Sequence, residues 1–321
     1  MIRVGVIGTG NMGQNHVRIY SEMEEVKLVG VADINKKLAE ETAAKYNTKA
    51  FTDYNEMFLE GLDAVSVVVP TINHKEVVLN SLDKNLHVLV EKPITNLVED
   101  AELMIETAKE KGKILMVGHI ERFNPAIIKL KEIIDSGAIG DIISISTKRV
   151  GPYNPKIKDV GVILDNGIHD IDIISHLYRT KINRIYAVAG VHIDQRPNPK
   201  FEDHASIFLK SSNKSLGIVQ VSWFPADYSS SSSKVRKLTA IGVNGFAHLD
   251  YINQTVEFQN NGSIIKAKVE KSDSLKNELK HFINCIAYRK MPYPSGEDGK
   301  YALEIALAAI TSYQEDRLIS I

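Results

Sequence analysis

The sequence predicts an α/β protein that starts with a Rossmann domain, a doubly wound parallel sheet, and continues into an α+β domain with a large, mostly antiparallel open sheet. In the first 120 residues, short β-branched runs alternate with amphipathic helical stretches. From Ile182 onward the chain consists mainly of strand-like segments separated by turn signals. A chain of 321 residues is also longer than one hydrophobic core usually supports. We therefore predict two domains, residues 1–120 and 121–321.

The first domain is predicted to hold parallel strands that are apolar along most of their length, because helices cover both faces of such a sheet. These strands are Arg3–Ile7, Lys27–Ala32, Ala64–Val69, His87–Val90 and Ile114–Gly118. Helical periodicity fills the intervals at Lys36–Tyr46, His74–Asp83 and Val98–Lys111. This alternation is typical of a nucleotide-binding domain.

The second domain is predicted to begin with a helix from Pro125 to about Ser136, a strand at Ile142–Arg149 and a helix from about Gly167 to Tyr178. The strands that follow are Ile185–Val191, Ala205–Leu209, Leu216–Ser222, Lys237–Ile241, Phe246–Asp250, Thr255–Gln259 and Ile264–Val269, and helices near Ser274–Arg289 and Glu297–Asp316 close the chain. The run Ser229–Ser233 is expected to form a flexible loop, and a functional lid is the alternative. A broad antiparallel sheet often has one face to cover, so we expect a homodimer or homotetramer formed through this domain.

Composition excludes several classes of function. Lysine plus arginine (39) nearly balances aspartate plus glutamate (40), so no general attraction to nucleic acid or to a membrane surface is expected. The single cysteine, Cys285, excludes an intrachain disulfide and a multi-cysteine metal centre, and its helical spacing predicts a core position. There is no apolar run long enough for a transmembrane helix and no signal peptide, so we expect a cytoplasmic protein.

The motif Gly8-Thr9-Gly10-Asn11-Met12-Gly13 follows the first strand and opens a helix. Such glycines allow the tight turn, let the backbone approach a pyrophosphate, and let the helix pack close to the strand. Asp33 ends the second strand and is positioned to bind an adenosine ribose. Because its carboxylate would repel a 2′-phosphate, NAD is predicted in preference to NADP, although Lys36 and Lys37 follow closely.

Two further motifs end strands and are predicted to face the cofactor crevice. The segment after Val69 supplies Pro70, Thr71, Asn73 and His74, and the segment after Val90 reads Glu91-Lys92-Pro93. Proline restricts Lys92 to extended conformations, and the Lys92–Pro93 peptide is a candidate for the cis form. Lys92 could bind a substrate hydroxyl beside the nicotinamide; a surface lysine is the alternative.

A third motif, Leu164-Asp165-Asn166-Gly167-Ile168-His169-Asp170-Ile171-Asp172, lies in the second domain. On a helix Asp165 and His169 share a face, with Asp172 three residues further along. A histidine oriented by a carboxylate is a competent general base, whereas the alternative is a helix cap next to a surface histidine. A zinc site is less well supported, because catalytic zinc requires three protein ligands, and no metal is predicted.

These motifs, in this order, resemble those of the glucose–fructose oxidoreductase, inositol dehydrogenase and rhizopine-catabolism (Gfo/Idh/MocA) family, and the resemblance covers nearly the whole chain. It implies NAD-dependent oxidation of a sugar or cyclitol secondary alcohol by an oxidoreductase acting on CH–OH groups. It also implies that Lys92, Asp165 and His169 line the substrate pocket, with His169 or Lys92 as the base.

The segment Gly118-His119-Ile120-Glu121-Arg122-Phe123-Asn124-Pro125 is similar to that of members that oxidise the 3-hydroxyl of UDP-N-acetylglucosamine or related UDP-sugars. Arg122, Asn124 and Tyr153 are candidate substrate contacts; interdomain hydrogen bonding and loop structure are the alternatives. Further cations could bind a diphosphate, namely Lys148, Arg149, Lys156, Lys158 and Arg236. A free sugar or inositol dehydrogenase is the alternative activity, and a non-catalytic NAD-binding regulator is the alternative class.

Overall fold

The chain folds into two compact units. The computed structural model describes residues 1–155, 157, 160–178, 180–193, 200–225, 234–260 and 262–321. The first unit comprises Met1–Ile120 and Asp273–Leu303, and the second comprises Glu121–Ser272 and Glu304–Ile321. These units differ from the predicted halves in the segment Asp273–Leu303, whose helix packs on the first helix of the chain. The functional assignment of each half stays a prediction.

The first unit contains a six-stranded parallel sheet. Its strands are β1 (Ile2–Ile7), β2 (Val26–Ala32), β3 (Lys49–Phe51), β4 (Ala64–Val67), β5 (His87–Glu91) and β6 (Leu115–Gly118). They lie in the order β3-β2-β1-β4-β5-β6, so successive strands are added first on one side of β1 and then on the other. In such a sheet, ligands bind outside the carboxyl ends of the strands where the order reverses, here β1 and β4.

Helices follow these strands at the positions that the periodicity predicts, with one addition. They are α1 (Asn11–Ser21), α2 (Lys36–Lys45), α3 (Tyr54–Phe58), α4 (His74–Asp83) and α5 (Val98–Glu110). Both α3 and β3 escape sequence prediction because they are only five and three residues long. The core of this unit includes both the sheet and α1. All four residues of β4 are buried, and the Tyr20 hydroxyl on α1 lies 2.9 Å from the Ser66 hydroxyl on β4.

The second unit contains a nine-stranded sheet in the order β14-β13-β12-β11-β7-β10-β9-β8-β15. Its elements before residue 273 are α6 (Pro125–Asp135), β7 (Ile142–Pro152), α7 (Ile168–Leu177), β8 (Ile182–Gly190), β9 (His204–Ser211), β10 (Leu216–Phe224), β11 (Val235–Gly242), β12 (Gly245–Asp250), β13 (Thr255–Asn260) and β14 (Ser263–Ala267). The chain ends with α8 (Ser274–Tyr288), α9 (Gly296–Glu315) and β15 (Ile319–Ser320). Pairing is antiparallel except between β7 and β10, so the predicted fold class is confirmed.

Burial alternates along the strands of this sheet, because one face is covered and the other is not. In β9, Ala205, Ile207 and Leu209 are buried, whereas Phe208 is 46% exposed. Cys285 is 1% exposed on α8, as predicted for a core cysteine. Among the described residues there is no helix long and apolar enough to cross a membrane. The run Ser229–Ser233 lies outside the described residues.

Candidate active site

The glycine motif forms the turn between β1 and α1, and its glycines have separate roles. Gly8 has a φ of +91°, and a Cβ there would lie 2.4 Å from the carbonyl oxygen of Val68. A Cβ on Gly13 would lie 1.9 Å from the carbonyl oxygen of Gly8. A Cβ on Gly10, by contrast, would meet no atom within 4 Å. The first and third glycines are therefore required for folding of the turn, and the second leaves open space where a phosphate would approach the backbone.

Asp33 is held rigidly at the end of β2. Its Oδ2 accepts hydrogen bonds from the backbone N–H of Thr9 at 2.8 Å and from the Thr9 hydroxyl at 2.9 Å, and its Oδ1 accepts one from the Asn35 N–H at 2.9 Å. Lys36 and Lys37 each lie 3.8 Å from a glutamate one helical turn further along α2. The end of β2 thus presents the Asp33 carboxylate, and the two lysines that follow have their charges balanced by glutamates. This arrangement favours a free ribose hydroxyl over a 2′-phosphate.

A cavity of about 600 Å³ opens along the carboxyl ends of β1, β2 and β4. The predicted cofactor residues that line it are Gly8, Gly10, Asn11, Met12, Asp33, Pro70 and Asn73. Thr9, Gly13, Thr71, His74, Glu91 and Lys92 are not among the lining residues. Further wall residues that the sequence did not indicate are Ile34, Leu38, Thr52, Tyr54 and Glu76. The cavity size, the open backbone at Gly10 and the fixed carboxylate of Asp33 together suit a dinucleotide.

His74 connects two of the loops beside this cavity. Its Nε2 lies 2.9 Å from the carbonyl oxygen of Val69, and its Nδ1 lies 3.0 Å from the carbonyl oxygen of Pro93. Burial lowers the pKa of the imidazole. The side chain is 1% exposed, so it positions the backbone that precedes Ile94, and contact of His74 with the cofactor stays a prediction.

Glu91 is the inner residue of the Glu-Lys-Pro motif. Its Oε1 lies 3.2 Å from Nε2 of the buried His16. Burial opposes ionisation of the carboxyl group, but the interactions with His16 and Lys92 together outweigh it, so the pKa of Glu91 is lowered. Lys92 follows as a half-buried residue, and its peptide bond to Pro93 is cis, as predicted. Glu91 therefore fixes the start of the loop that carries Lys92.

In the second unit, the Asp165 motif contains one irregular turn. Residues Ile163–Gly167 form a π-helical turn that leads directly into α7. Turns of this type occur frequently at functional sites. Asp165 lies inside the π turn and His169 lies in the first turn of α7, and both are half-buried. The local structure is helical, as predicted, but with one turn wider than an α-helix.

The other two aspartates of this motif form buried ion pairs with arginines. Asp172 accepts from Nε of Arg122 at 2.9 Å and from its Nη2 at 2.6 Å. Asp170 accepts from Nε of Arg149 at 3.0 Å and from its Nη2 at 3.1 Å. These four side chains are at most 4% exposed. Burial opposes protonation of Arg149, but Asp170 and its other carboxylate neighbour outweigh it, so the pKa of the guanidinium is raised.

Asn124 and Tyr153, predicted as substrate contacts, are both engaged within their own unit. Asn124 caps α6 by accepting from the Ala126 N–H at 3.0 Å, and its amide donates to Glu121 at 3.0 Å. The Tyr153 hydroxyl donates to the carbonyl of Ile157, and the ring packs at 5.1 Å from Trp223. Their observed roles are therefore structural, and substrate contact by either residue stays a prediction.

Of the basic residues considered for a diphosphate, Arg236 has the most suitable environment. It is half-buried, and burial together with the nearby charge of Arg149 lowers the pKa of its guanidinium, while Asp165 and other carboxylates oppose that shift. Lys148 is exposed. Lys156 and Lys158 lie outside the described residues.

Two family profiles match the chain. Residues 2–119 match the profile described as "Oxidoreductase family, NAD-binding Rossmann fold", and residues 127–247 match the "GFO/IDH/MocA C-terminal domain". Together they span most of both units.

Individual relatives are similar along the full length. The chain is 28% identical to UDP-N-acetylglucosamine 3-dehydrogenase of Acidithiobacillus ferrooxidans, with 95% of each chain covered; the solved structure of that enzyme superposes with a TM-score of 0.88 over 98% of each chain. It is 29% identical to myo-inositol 2-dehydrogenase of Thermotoga maritima, with 100% of this chain and 98% of the relative covered. Levoglucosan dehydrogenase in complex with NADH shares the fold, with a TM-score of 0.90 at 19% identity, over 100% of this chain and 99% of that one.

Proposed function

This chain belongs to the Gfo/Idh/MocA oxidoreductase family, and from that premise we propose that it oxidises a secondary alcohol of a nucleotide-linked sugar with NAD. The specific substrate that we propose is UDP-N-acetylglucosamine, oxidised at its 3-hydroxyl. NAD dependence and dehydrogenation of a sugar alcohol follow from the family and its relatives. The nucleotide-linked substrate is the finer part of the proposal, and it is supported by the Acidithiobacillus relative and by Arg236.

Bound NAD supplies the hydride acceptor in this chemistry. The substrate loses a hydride from carbon and a proton from its hydroxyl oxygen, and the carbon–oxygen bond becomes a carbonyl. We propose that His169 or Lys92 takes the hydroxyl proton. The carboxylate of Asp165 would orient His169 and accept a hydrogen bond from a neighbouring hydroxyl. Arg236 would bind the diphosphate, since a partly buried guanidinium gains more from an anion than an exposed one does.

The observation that carries the proposal is the difference between the four ionisable residues of the Asp165 motif, Asp165, His169, Asp170 and Asp172. Asp170 and Asp172 are buried and paired with arginines, so they hold α7 in place. Asp165 and His169 are half-buried. A substrate hydroxyl can reach groups with partial exposure, whereas a buried ion pair is not accessible to it. The motif therefore separates into two structural and two candidate catalytic side chains.

The substrate is tested by measuring NADH formation from NAD with UDP-N-acetylglucosamine, UDP-glucose, free hexoses and myo-inositol in parallel. We expect turnover with UDP-N-acetylglucosamine and a lower kcat/KM for the unconjugated sugars. Arg236→Met should raise KM for the UDP-sugar with little effect on KM for NAD, and Lys148→Met, at an exposed position of the same sheet, is the matched control. Activity confined to unconjugated polyols would exclude the nucleotide-sugar substrate.

The catalytic assignments are tested with Lys92→Met and His169→Ala. Each variant should lower kcat by about 10²–10⁴-fold if it removes the general base, while NAD affinity stays near that of the wild type. The base is the residue whose loss abolishes the acidic limb of the pH profile of kcat. Wild-type turnover in both variants would refute the assignment.

Free inositol is the second candidate substrate, because the Thermotoga relative of similar identity is a myo-inositol 2-dehydrogenase. The same assay distinguishes it, since myo-inositol carries no diphosphate and its KM should not depend on Arg236. A protein that binds NAD in a calorimeter but turns over none of these compounds would instead be a regulator.

We also propose that copies of this chain associate through the uncovered face of the second sheet. Val188 on β8 and Phe208 on β9 are 55% and 46% exposed, and Ile241 on β11 is 44% exposed. A second copy of the chain would remove these apolar side chains from water, which is the basis of this proposal. Light scattering should give a dimer or tetramer mass, and Phe208→Lys should shift it toward the monomer.

A further inference from the structure

Three side chains capable of binding a metal lie together where β8 ends and β9 begins, and the proposed reaction uses none of them. His192, Asp203 and His204 each offer a ligand atom, and these atoms lie within 4.8 Å of one another. Asp203 is 1% exposed, whereas His192 is exposed and His204 is half-buried. A buried carboxylate beside two accessible imidazoles is the arrangement in which metal-binding histidines are commonly found.

Asp203 determines which nitrogen of His204 is available. Its Oδ2 accepts the backbone N–H groups of His192 and Ile193, both at 2.7 Å. Its Oδ1 lies 3.0 Å from Nδ1 of His204. Because an ionised carboxylate can only accept, a neutral His204 ring bonded to it carries its proton on Nδ1 and leaves the lone pair of Nε2 for a metal ion. Asp203 thus holds the backbone of one histidine and the ring of the other.

Gly190 provides the space that both imidazoles occupy. It pairs with His204 across β8 and β9, and a Cβ on Gly190 would lie 2.7 Å from Cε1 of His204 and 3.6 Å from Cε1 of His192. The two rings meet edge to face, with centroids 4.5 Å apart. A larger residue at position 190 would displace the His204 ring from this position.

We propose that His192 and His204, with Asp203 behind them, form a binding site for a divalent transition-metal ion such as Zn²⁺. Imidazole nitrogens bind Zn²⁺ at about 2.0–2.1 Å in tetrahedral geometry, which places two of them roughly 3.3 Å apart. The exposed His192 ring reaches that position by turning about its side-chain bonds, while Asp203 keeps Nε2 of His204 oriented. Asp203 acts as an outer-shell partner, since both of its oxygens already accept hydrogen bonds from the described residues, and water completes the coordination.

The competing explanation is a loop in which Asp203 only caps the backbone and the two rings only pack together. Measuring Zn²⁺ binding to the intact 321-residue chain distinguishes the two explanations. In a competition titration with a chromophoric chelator, we expect one Zn²⁺ per chain, lost in His192→Ala and in His204→Ala. Asp203→Asn should weaken binding by about 10–100-fold. His248→Ala, which removes an exposed histidine of β12 in the same sheet, is the matched control and should leave binding unchanged.

His192 is the informative position, because its exposed ring can be removed with little effect on folding. Zn²⁺ should raise the thermal midpoint of the wild type and of His248→Ala, but not that of His192→Ala. Co²⁺ should give visible absorption bands that His204→Ala abolishes. If His192→Ala binds Zn²⁺ with wild-type affinity, or if His248→Ala weakens binding equally, the proposal is wrong. NAD titration of each variant verifies that the first unit is folded, and the proposal does not depend on the identity of the substrate.

Discussion

Alanine substitutions at Gly10 and Gly13 should separate cofactor binding from folding. The two glycines lie three residues apart in the same turn, yet an added Cβ has opposite surroundings at each position. At Gly13 it would lie 1.9 Å from the Gly8 carbonyl oxygen, and at Gly10 it would meet no atom within 4 Å. Gly10 also has φ −63° and ψ −169°, which alanine adopts readily.

The magnitudes follow from these distances. Because real Cβ atoms essentially never approach another heavy atom closer than 3.0 Å, Gly13→Ala requires a shift of at least 3.0 − 1.9 = 1.1 Å between α1 and the turn. Overpacking of this kind costs about 1–3 kcal/mol. Gly10→Ala should change the free energy of unfolding by less than about 0.5 kcal/mol. It should, however, hold the pyrophosphate away from the backbone, and the loss of one charge-assisted hydrogen bond is worth about 1.5–3 kcal/mol.

The assay is NAD titration by calorimetry, combined with urea unfolding of the protein without added NAD. Gly10→Ala should bind NAD about 10–100-fold more weakly and unfold at the wild-type urea concentration. Gly13→Ala should unfold at a lower urea concentration. If Gly10→Ala binds NAD normally, the pyrophosphate does not approach this residue, and if Gly13→Ala is as stable as the wild type, the steric argument fails.

Three further predictions concern charged groups. Asp33→Ser should weaken NAD binding and reduce the preference for NAD over NADP in a calorimetric comparison, because the repulsion of a 2′-phosphate is removed. Asp172→Ala should lower the free energy of unfolding by about 3–5 kcal/mol, because it leaves the Arg122 guanidinium buried without its partner; the double variant Arg122→Met with Asp172→Leu should recover much of that loss in urea unfolding. Glu91, whose pKa is lowered in the folded state, stabilises the fold above the ordinary carboxyl pKa of about 4.3, and the contribution disappears as the pH falls through the lowered value. Glu91→Gln should therefore be less stable than the wild type at neutral pH, and the difference in thermal midpoint should vanish in acid.

The sequence predicts the fold well where local signals agree. Apolar runs bounded by glycine and polar turns mark β1, β2, β4, β5 and β6. Two short elements, β3 and α3, carry too few residues to show a period, and with them the Tyr54 wall of the cofactor cavity escapes prediction. Local sequence also does not predict that Asp273–Leu303 belongs to the first unit. The helix α8 is amphipathic, and its apolar face could pack on either unit.

Arg122 shows why residue type alone does not reveal the partner of a charged side chain, and its contact with substrate stays a prediction. An arginine after the last strand of a Rossmann sheet is a reasonable phosphate ligand, and the sequence offers no sign that Asp172, fifty residues further along, pairs with it. The pairing depends on tertiary structure, and it removes the guanidinium from solvent. The same holds for Arg149 and Asp170. Of the predicted cations, Arg236 alone among the described residues combines partial burial with a lowered pKa.

The π-helical turn at Asp165 depends on a contact from a distant part of the chain. The backbone N–H of Ile163 donates to Oε1 of Glu202 at 3.0 Å, and the N–H of Val162 donates to the Glu202 carbonyl at 3.0 Å. The carboxylate fits there only because residue 161 is glycine, on which a Cβ would lie 2.1 Å from Oε1 of Glu202. Glu202 thus satisfies the amides that a helix start leaves unpaired. The same turn carries Asp165. The position of the Asp165 carboxylate therefore depends on Glu202, which precedes β9 and is next in sequence to Asp203 of the proposed metal site.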